Sequence, residues 1–391
     1  MVSKLPHLLL LMAVAFLVTY VMVPVVKRLA FRLNAIDYPG YRRVNKTPIP
    51  RMGGLAMYTG VMAALLVEFI GEQFLDWNVF YQSAFTLSVF YPGVVLGFTA
   101  IVITGVIDDV KALRPFHKMI GQIIAAVILV ASGILLESIK NPFGAGFITF
   151  GWFAYPLTVL YLMAFMNVIN LIDGLDGLAA GITAIATFTL FLVALGKFRM
   201  ETAMFCVVTL GVTLAFLRYN FNPASIFMGD SGSLFLGTML GVISLLGVIR
   251  SSTVVVLAAS LIIAAIPIMD SVVAVIRRVL AHQPIQQADA KHLHHKLLRE
   301  GYSMRTSVLI LYAWTAFLAI GAFAISNTAG MLVFVVFVIL AIGSFMIVWR
   351  LGILEPVLRH YYNKRIGRIP SSHRHGGKKP EEVEKAAPKD N

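Results

Sequence analysis

The chain has 391 residues, 59% of them apolar and 13% charged, and a net charge of +13. That is far too apolar for a water-soluble domain. The positive charge is not interleaved with aromatics and has no polar domain to carry it, so the reading is no nucleic acid. Crossing the hydrocarbon takes about 20 apolar residues, and such runs follow one another along the chain. They predict about eleven spans, near 7–26, 53–71, 85–107, 119–137, 152–170, 178–196, 203–218, 233–249, 254–276, 306–326 and 331–349. The runs are continuous rather than alternating, which excludes a membrane barrel. The first is too long for a signal peptide and lacks a small-residue cleavage site, so it counts as a span. The expected fold class is all-α, a polytopic membrane protein. The single cysteine, Cys206, falls inside a span and reads as a buried thiol.

Lysine and arginine mark the sides. One set of loops carries Lys27, Arg28, Arg32, Arg42, Arg43, Lys46 and Arg51, then Lys111, Arg114, Lys118 and Arg218, then Arg277 to Arg305 and the tail. The other set carries only Lys4, Lys140, Lys197, Arg199 and Arg250. The positive-inside rule places the first set in the cytoplasm. The N-terminus is then outside and the C-terminus cytoplasmic. Residues 1–350 read as one transmembrane domain whose polar groups gather on cytoplasmic loops. Residues 351–391 form a basic cytoplasmic tail, too polar from about Ile369 onward to build a core and therefore disordered.

Three acidic clusters fall on that same side: Asp108 and Asp109 in GVIDDVKALRPFHK, Asp173 and Asp176 in NVINLIDGLDGLAAG, and Asp230 in NFNPASIFMGDSGS. Acids close to a bilayer core are costly, so these are functional candidates. Each also has a bland reading: an acid pair can complement a helix N-terminus, and the amides at Asn167 and Asn170 can act as caps. A spacing of three places Asn167, Asn170 and Asp173 on roughly one helix face. Carboxylates beside an amide suit a hard cation such as Mg²⁺, with Mn²⁺ as the alternative ion. The basic residues and the histidines of KHLHHKLLREG suit phosphate oxygens. The bland reading of that stretch is an amphipathic helix with Leu293, Leu297 and Leu298 inward; a zinc site is the rival. Asp270, inside the ninth span, reads first as a partner for Arg277. Together, metal-ligating acids, phosphate-binding cations and glycine turns point to phosphoryl transfer at a membrane surface. A transporter is the reading from another class, but it needs ionisable groups near the midplane, and these acids sit at span ends.

The segments RRVNKTPIPRMGGLAM, GVIDDVKALRPFHKMIGQ, NVINLIDGLDGLAAG, RYNFNPASIFMGDSGSLFLG and KHLHHKLLREG, in this order, resemble the polyprenyl-phosphate N-acetylhexosamine-1-phosphate transferase family. The likeness runs from about Val25 to Met304. It implies catalytic roles for Asp108 and Asp109, with Asp109 nearest the attacking phosphate. It implies Mg²⁺ ligation by Asn170 and Asp230. It implies substrate contacts from Asp173 and Asp176, which would line the nucleotide pocket, and from Asn167. Lys118, His292, His294, His295, Arg43 and Arg51 would be basic positions near phosphate. The His-Leu-His-His motif resembles the wall teichoic acid and enterobacterial common antigen branch more than the peptidoglycan translocase, the alternative within the family. The resemblance therefore implies transfer of GlcNAc-1-phosphate from UDP-GlcNAc to undecaprenyl phosphate in the bacterial plasma membrane. It also implies a homodimer, the common state in this family.

Overall fold

The computed structural model describes residues 5–39, 47–74, 77, 89–141, 146–249, 297–298, 301–328 and 330–350. Ten α-helices make up almost all of it: α1 (Leu5–Arg32), α2 (Gly53–Phe74), α3 (Tyr91–Lys111), α4 (Pro115–Ala131), α5 (Ala154–Ile172), α6 (Leu178–Gly196), α7 (Met200–Asn220), α8 (Gly229–Ile249), α9 (Met304–Asn327) and α10 (Met331–Arg350). Nine are long and apolar enough to cross a membrane. Ten of the eleven predicted spans coincide with these helices. The ninth, near 254–276, lies outside the described residues, as do the tail beyond 350 and Asp270.

The fourth span differs from its expected bounds near 119–137: α4 is a 17-residue helix that starts at Pro115 and stops at Ala131. Proline fits the first helical position, where its missing N–H costs nothing. The apolar residues after Ala131 turn through Gly133, with φ 93°, into a short hairpin of β3 (Ser138–Lys140) and β4 (Phe147–Thr149). A second antiparallel hairpin, β1 (Ile36–Asp37) with β2 (Ile49–Pro50), follows α1. Hydropathy alone cannot separate the end of a span from an apolar hairpin.

Helix α8 is the axis of the bundle: 89% of its span is buried, against 11% for α10. It packs against α2, α3, α5, α6 and α7. Phe98 of α3 meets Phe205 of α7 and Phe235 of α8 edge-to-face, with centroids 6.4 and 5.8 Å apart, and Tyr58 of α2 meets Phe235 at 5.9 Å. Such pairs add about 0.5–1.5 kcal/mol each beyond area burial. Exposed apolar side chains such as Leu17, Leu66, Leu96, Phe337 and Phe345 cover the outer surface, as lipid requires.

Small residues let α8 come close where it begins. Gly54 of α2 abuts the Ser231–Gly232 backbone, and Gly105 of α3 abuts the Asp230–Ser231 backbone. A Cβ at Gly105 would stand 2.7 Å from the Asp230 carbonyl carbon, in backbone that cannot swing aside. Gly105→Ala should therefore destabilise the protein by about 1–3 kcal/mol, as overpacking does. Thermal unfolding in detergent measures this, and an unchanged melting temperature would refute the close approach of α3 and α8.

Candidate active site

The acidic clusters, separate in sequence, meet at one end of the bundle. α3 and α5 end there, α4 and α8 begin there, and the turn between α5 and α6 closes the group. Lys118, one turn into α4, joins the clusters. Its Nζ lies 2.5 Å from Asp230 Oδ1, 3.1 Å from Asp108 Oδ2 and 3.4 Å from Asn170 Oδ1. Asn170 Nδ2 donates to the same Asp230 oxygen and, at 2.8 Å, to Ser233 Oγ. Asp108 uses its other oxygen to accept the Leu113 backbone N–H at 2.7 Å, which braces the turn into α4. That turn passes through Ala112 with φ 48°. An ammonium held between two carboxylates and an amide is a compact charge-assisted cluster.

Asp109 points elsewhere. Its Oδ1 accepts the backbone N–H of Asp230 at 2.7 Å, and its Oδ2 accepts that of Ser231 at 3.1 Å. Asp176 also serves backbone: its Oδ2 accepts Asn222 Nδ2 at 2.9 Å and the Ala224 N–H at 3.0 Å, tying the α5–α6 turn to the loop before α8. Helix α9 braces this junction. Tyr312 Oη donates to the Gly177 carbonyl at 2.5 Å, and Arg305 Nε donates to the Asn222 carbonyl at 2.9 Å. Asn167 exchanges amide hydrogen bonds with Gln122 of α4, at 2.8 and 3.2 Å, one turn deeper than the Lys118–Asn170 contact.

Arg51 pairs with Asp37 across the β1–β2 hairpin, and the hairpin leans on the loop before α8 through the Phe227 N–H to Pro50 carbonyl bond, 2.8 Å. Arg43, His292, His294 and His295 lie outside the described residues. Leu297 is buried, as the amphipathic reading of its stretch expects. Several site residues escaped the sequence reading: Gln122, Asn222, Ser233 and Tyr312. Gln122 carried a usable signal, a polar residue one turn after Lys118 inside an apolar run. Tyr312 carried none, because its hydroxyl finds Gly177 only through the packing of α9 on α6.

Asp108, Asp230, Asn170 and Ser233 bring carboxylate, amide and hydroxyl oxygens to this group, the chemistry a hard cation takes. Among the described residues no three His, Cys, Asp or Glu side chains converge into a complete metal cage. Asp230 and Asn170 carry oxygens of the kind such a cation takes.

Asp173 follows α5 and is only partly covered, yet desolvation pushes its carboxyl up to about 8, with the charges of Asp230, Asp109 and Asp176 adding. The folded protein thus holds this proton more tightly than the unfolded chain does. The resulting stability is complete below the ordinary carboxylate range and is lost as pH rises through about 8. In metal-free buffer, wild type should lose melting temperature relative to Asp173→Asn as pH rises from about 5 to about 8, by roughly 2–4 °C or more, and lose no more above that. Parallel curves for the two proteins would refute the shift.

Comparisons with known proteins show the family. Residues 91–248 match the model for glycosyl transferase family 4. The chain is 36% identical to a Bacillus subtilis protein named "Probable undecaprenyl-phosphate N-acetylglucosaminyl 1-phosphate transferase", over 84% of this chain and 87% of that one. It is 34% identical to the decaprenyl-phosphate N-acetylglucosaminephosphotransferase of Mycolicibacterium smegmatis, over 79% of each chain. It is 32% identical to the phospho-N-acetylmuramoyl-pentapeptide-transferase of Listeria innocua, over 60% of this chain and 73% of that one. Family model, relatives and bundle together make this chain a multi-pass membrane member of glycosyl transferase family 4, among the polyprenyl-phosphate N-acetylhexosamine-1-phosphate transferases.

Proposed function

We propose that the protein transfers GlcNAc-1-phosphate from UDP-GlcNAc to undecaprenyl phosphate, giving undecaprenyl-diphospho-GlcNAc and UMP. This would be the first membrane step of a cell-envelope polymer. The observation that carries the reading is the convergence of Lys118, Asp108, Asn170 and Asp230 at one end of a bundle whose outer surface is apolar. A water-soluble nucleotide and a lipid-borne phosphate can both reach such a place. The basic residues of α1, α3, α4, α7 and α9 gather at this same end, which supports a cytoplasmic site by the positive-inside rule. The acids stand at helix ends rather than mid-span, which disfavours the transporter reading. The longer and closer matches are to N-acetylglucosamine enzymes, which favours that donor over the muramoyl-pentapeptide one.

The acceptor phosphate has a second pKa of about 6 and is largely dianionic at pH 7. Its oxygen attacks the sugar-side phosphorus of the donor, and the bond from that phosphorus to the bridging oxygen breaks. The electron pair leaves with UMP, so no proton need be removed for attack. What remains is positioning and charge neutralisation, which supply most of the rate enhancement in phosphoryl transfer. Lys118 supplies a cation that Asp108 holds in place, ready to meet phosphate oxygens as charge moves to the leaving group. Asp230 and Asn170 would hold Mg²⁺, which when bound would neutralise the donor pyrophosphate. Asp173 borders this group and, without a divalent ion, keeps its proton up to about pH 8.

Asp230→Ala and Asn170→Ala should each lower UMP release by roughly 100-fold or more while leaving a folded protein. The assay is purified enzyme with UDP-GlcNAc, undecaprenyl phosphate and Mg²⁺; near-wild-type rates in either variant would remove the metal assignment. Parallel assays should give turnover with UDP-GlcNAc and none with UDP-MurNAc-pentapeptide. Comparable turnover with the peptide donor would move the chain to the peptidoglycan branch.

A further inference from the structure

We infer that Asp109 is a positioning residue, which caps α8 from a neighbouring helix and thereby aims the Asp230 carboxylate at Lys118 and Asn170. The inference rests on the proposed function for the consequence of that aim, and on geometry for the aim itself. A helix leaves its first N–H groups without intrahelical partners. They are ordinarily met by a Ser, Thr, Asp or Asn just before the helix. The residue before α8 is Met228, which has no oxygen to offer. The acceptor comes instead from the last turn of α3, and both Asp109 oxygens take part, one on the Asp230 N–H and one on the Ser231 N–H. A negative charge there also suits the positive end of the helix dipole.

The surroundings fit this task. Asp109 is 6% exposed. Gly229 opens α8 with φ 69°, and a Cβ on it would stand 2.5 and 2.6 Å from the two Asp109 oxygens. Glycine is therefore what admits the carboxylate. Gly105, one turn earlier on α3, holds the same Asp230–Ser231 backbone from below. The residue whose N–H is gripped is the one whose side chain meets Lys118 and Asn170. Asp108, its neighbour in sequence, instead turns one oxygen to Lys118. The adjacent acids thus divide the work: Asp108 holds the cation, and Asp109 holds the helix that carries the metal ligand.

Asp109→Asn keeps one acceptor oxygen and turns an NH₂ toward the other N–H. The full-length protein in detergent is the sample. Hydrogen exchange at the Asp230–Ser231 amides should speed up at least about 10-fold, because a native hydrogen bond is lost. Mn²⁺ binding, read by electron paramagnetic resonance, should weaken by about 10-fold or more, as when a partner that orients a ligand is removed. Turnover should fall and require more Mg²⁺, and the acid limb of the pH–rate profile should stay where it is. Gly229→Ala, which displaces the carboxylate without altering it, should shift exchange and Mn²⁺ binding in the same direction. It serves as the readout if Asp109→Asn does not fold. Wild-type exchange and Mn²⁺ affinity in Asp109→Asn, with turnover gone and the acid limb abolished, would overturn the inference and make Asp109 a proton acceptor or nucleophile. Failure of wild type to release UMP from UDP-GlcNAc would instead overturn the proposed function and leave the exchange and Mn²⁺ results to judge Asp109.

Discussion

An ammonium at the edge of an apolar bundle must be neutralised, and Lys118 is neutralised by two carboxylates from different helices. That demand brings the C-terminal end of α3 and the N-terminal end of α8 onto the start of α4, and Asn170 completes the contact from α5. The rest of the interior permits this meeting. Glycines at 54 and 105 let α2 and α3 reach the α8 backbone, and the Phe98, Phe205 and Phe235 group fixes α8 deeper in the bundle. The polar cluster therefore sits on a rigid frame, as precise phosphate chemistry requires.

The five aspartates of the three acidic clusters have different occupations. Asp108 and Asp230 face the cation. Asp109 and Asp176 spend their oxygens on backbone N–H groups and an amide, and so build the loops that present the others. Asp173 stands between, partly covered and surrounded by negative charge. A carboxylate is as good at ending a helix or pinning a turn as at meeting a metal ion, and a site made of loops needs both services. The brace from α9, through Tyr312 and Arg305, extends that support beyond the stretch 91–248 shared with the family model.

The far end of the bundle is built differently. There His7 meets Glu68 at 2.5 Å, with Trp77 set edge-on to the His7 ring, and Tyr91 donates to Glu201. These contacts join α1 to α2 and α3 to α7. Among the described residues, one end gathers charge around a group of donors, and the other makes these pairwise contacts.

Much of this was legible in the residues themselves. Ten of the helices follow from runs of apolar side chains, because hydropathy is a local sum and the bilayer reads it over about 20 residues. The gathering of acids and bases at one end follows from loop charge in the same local way. The order of the motifs was enough to indicate the family. What the residues could not disclose was which partner each acid takes. Lys118 and Asp230 are 112 residues apart, and Asp109 and the Ser231 N–H are 122 apart. The letters Asp-Asp at 108 and 109 are identical, yet one turns to an ammonium and the other to a helix end. A helix advances about 100° per residue, so neighbours on α3 necessarily face different things, and only the packing of α4 and α8 around it decides what those things are.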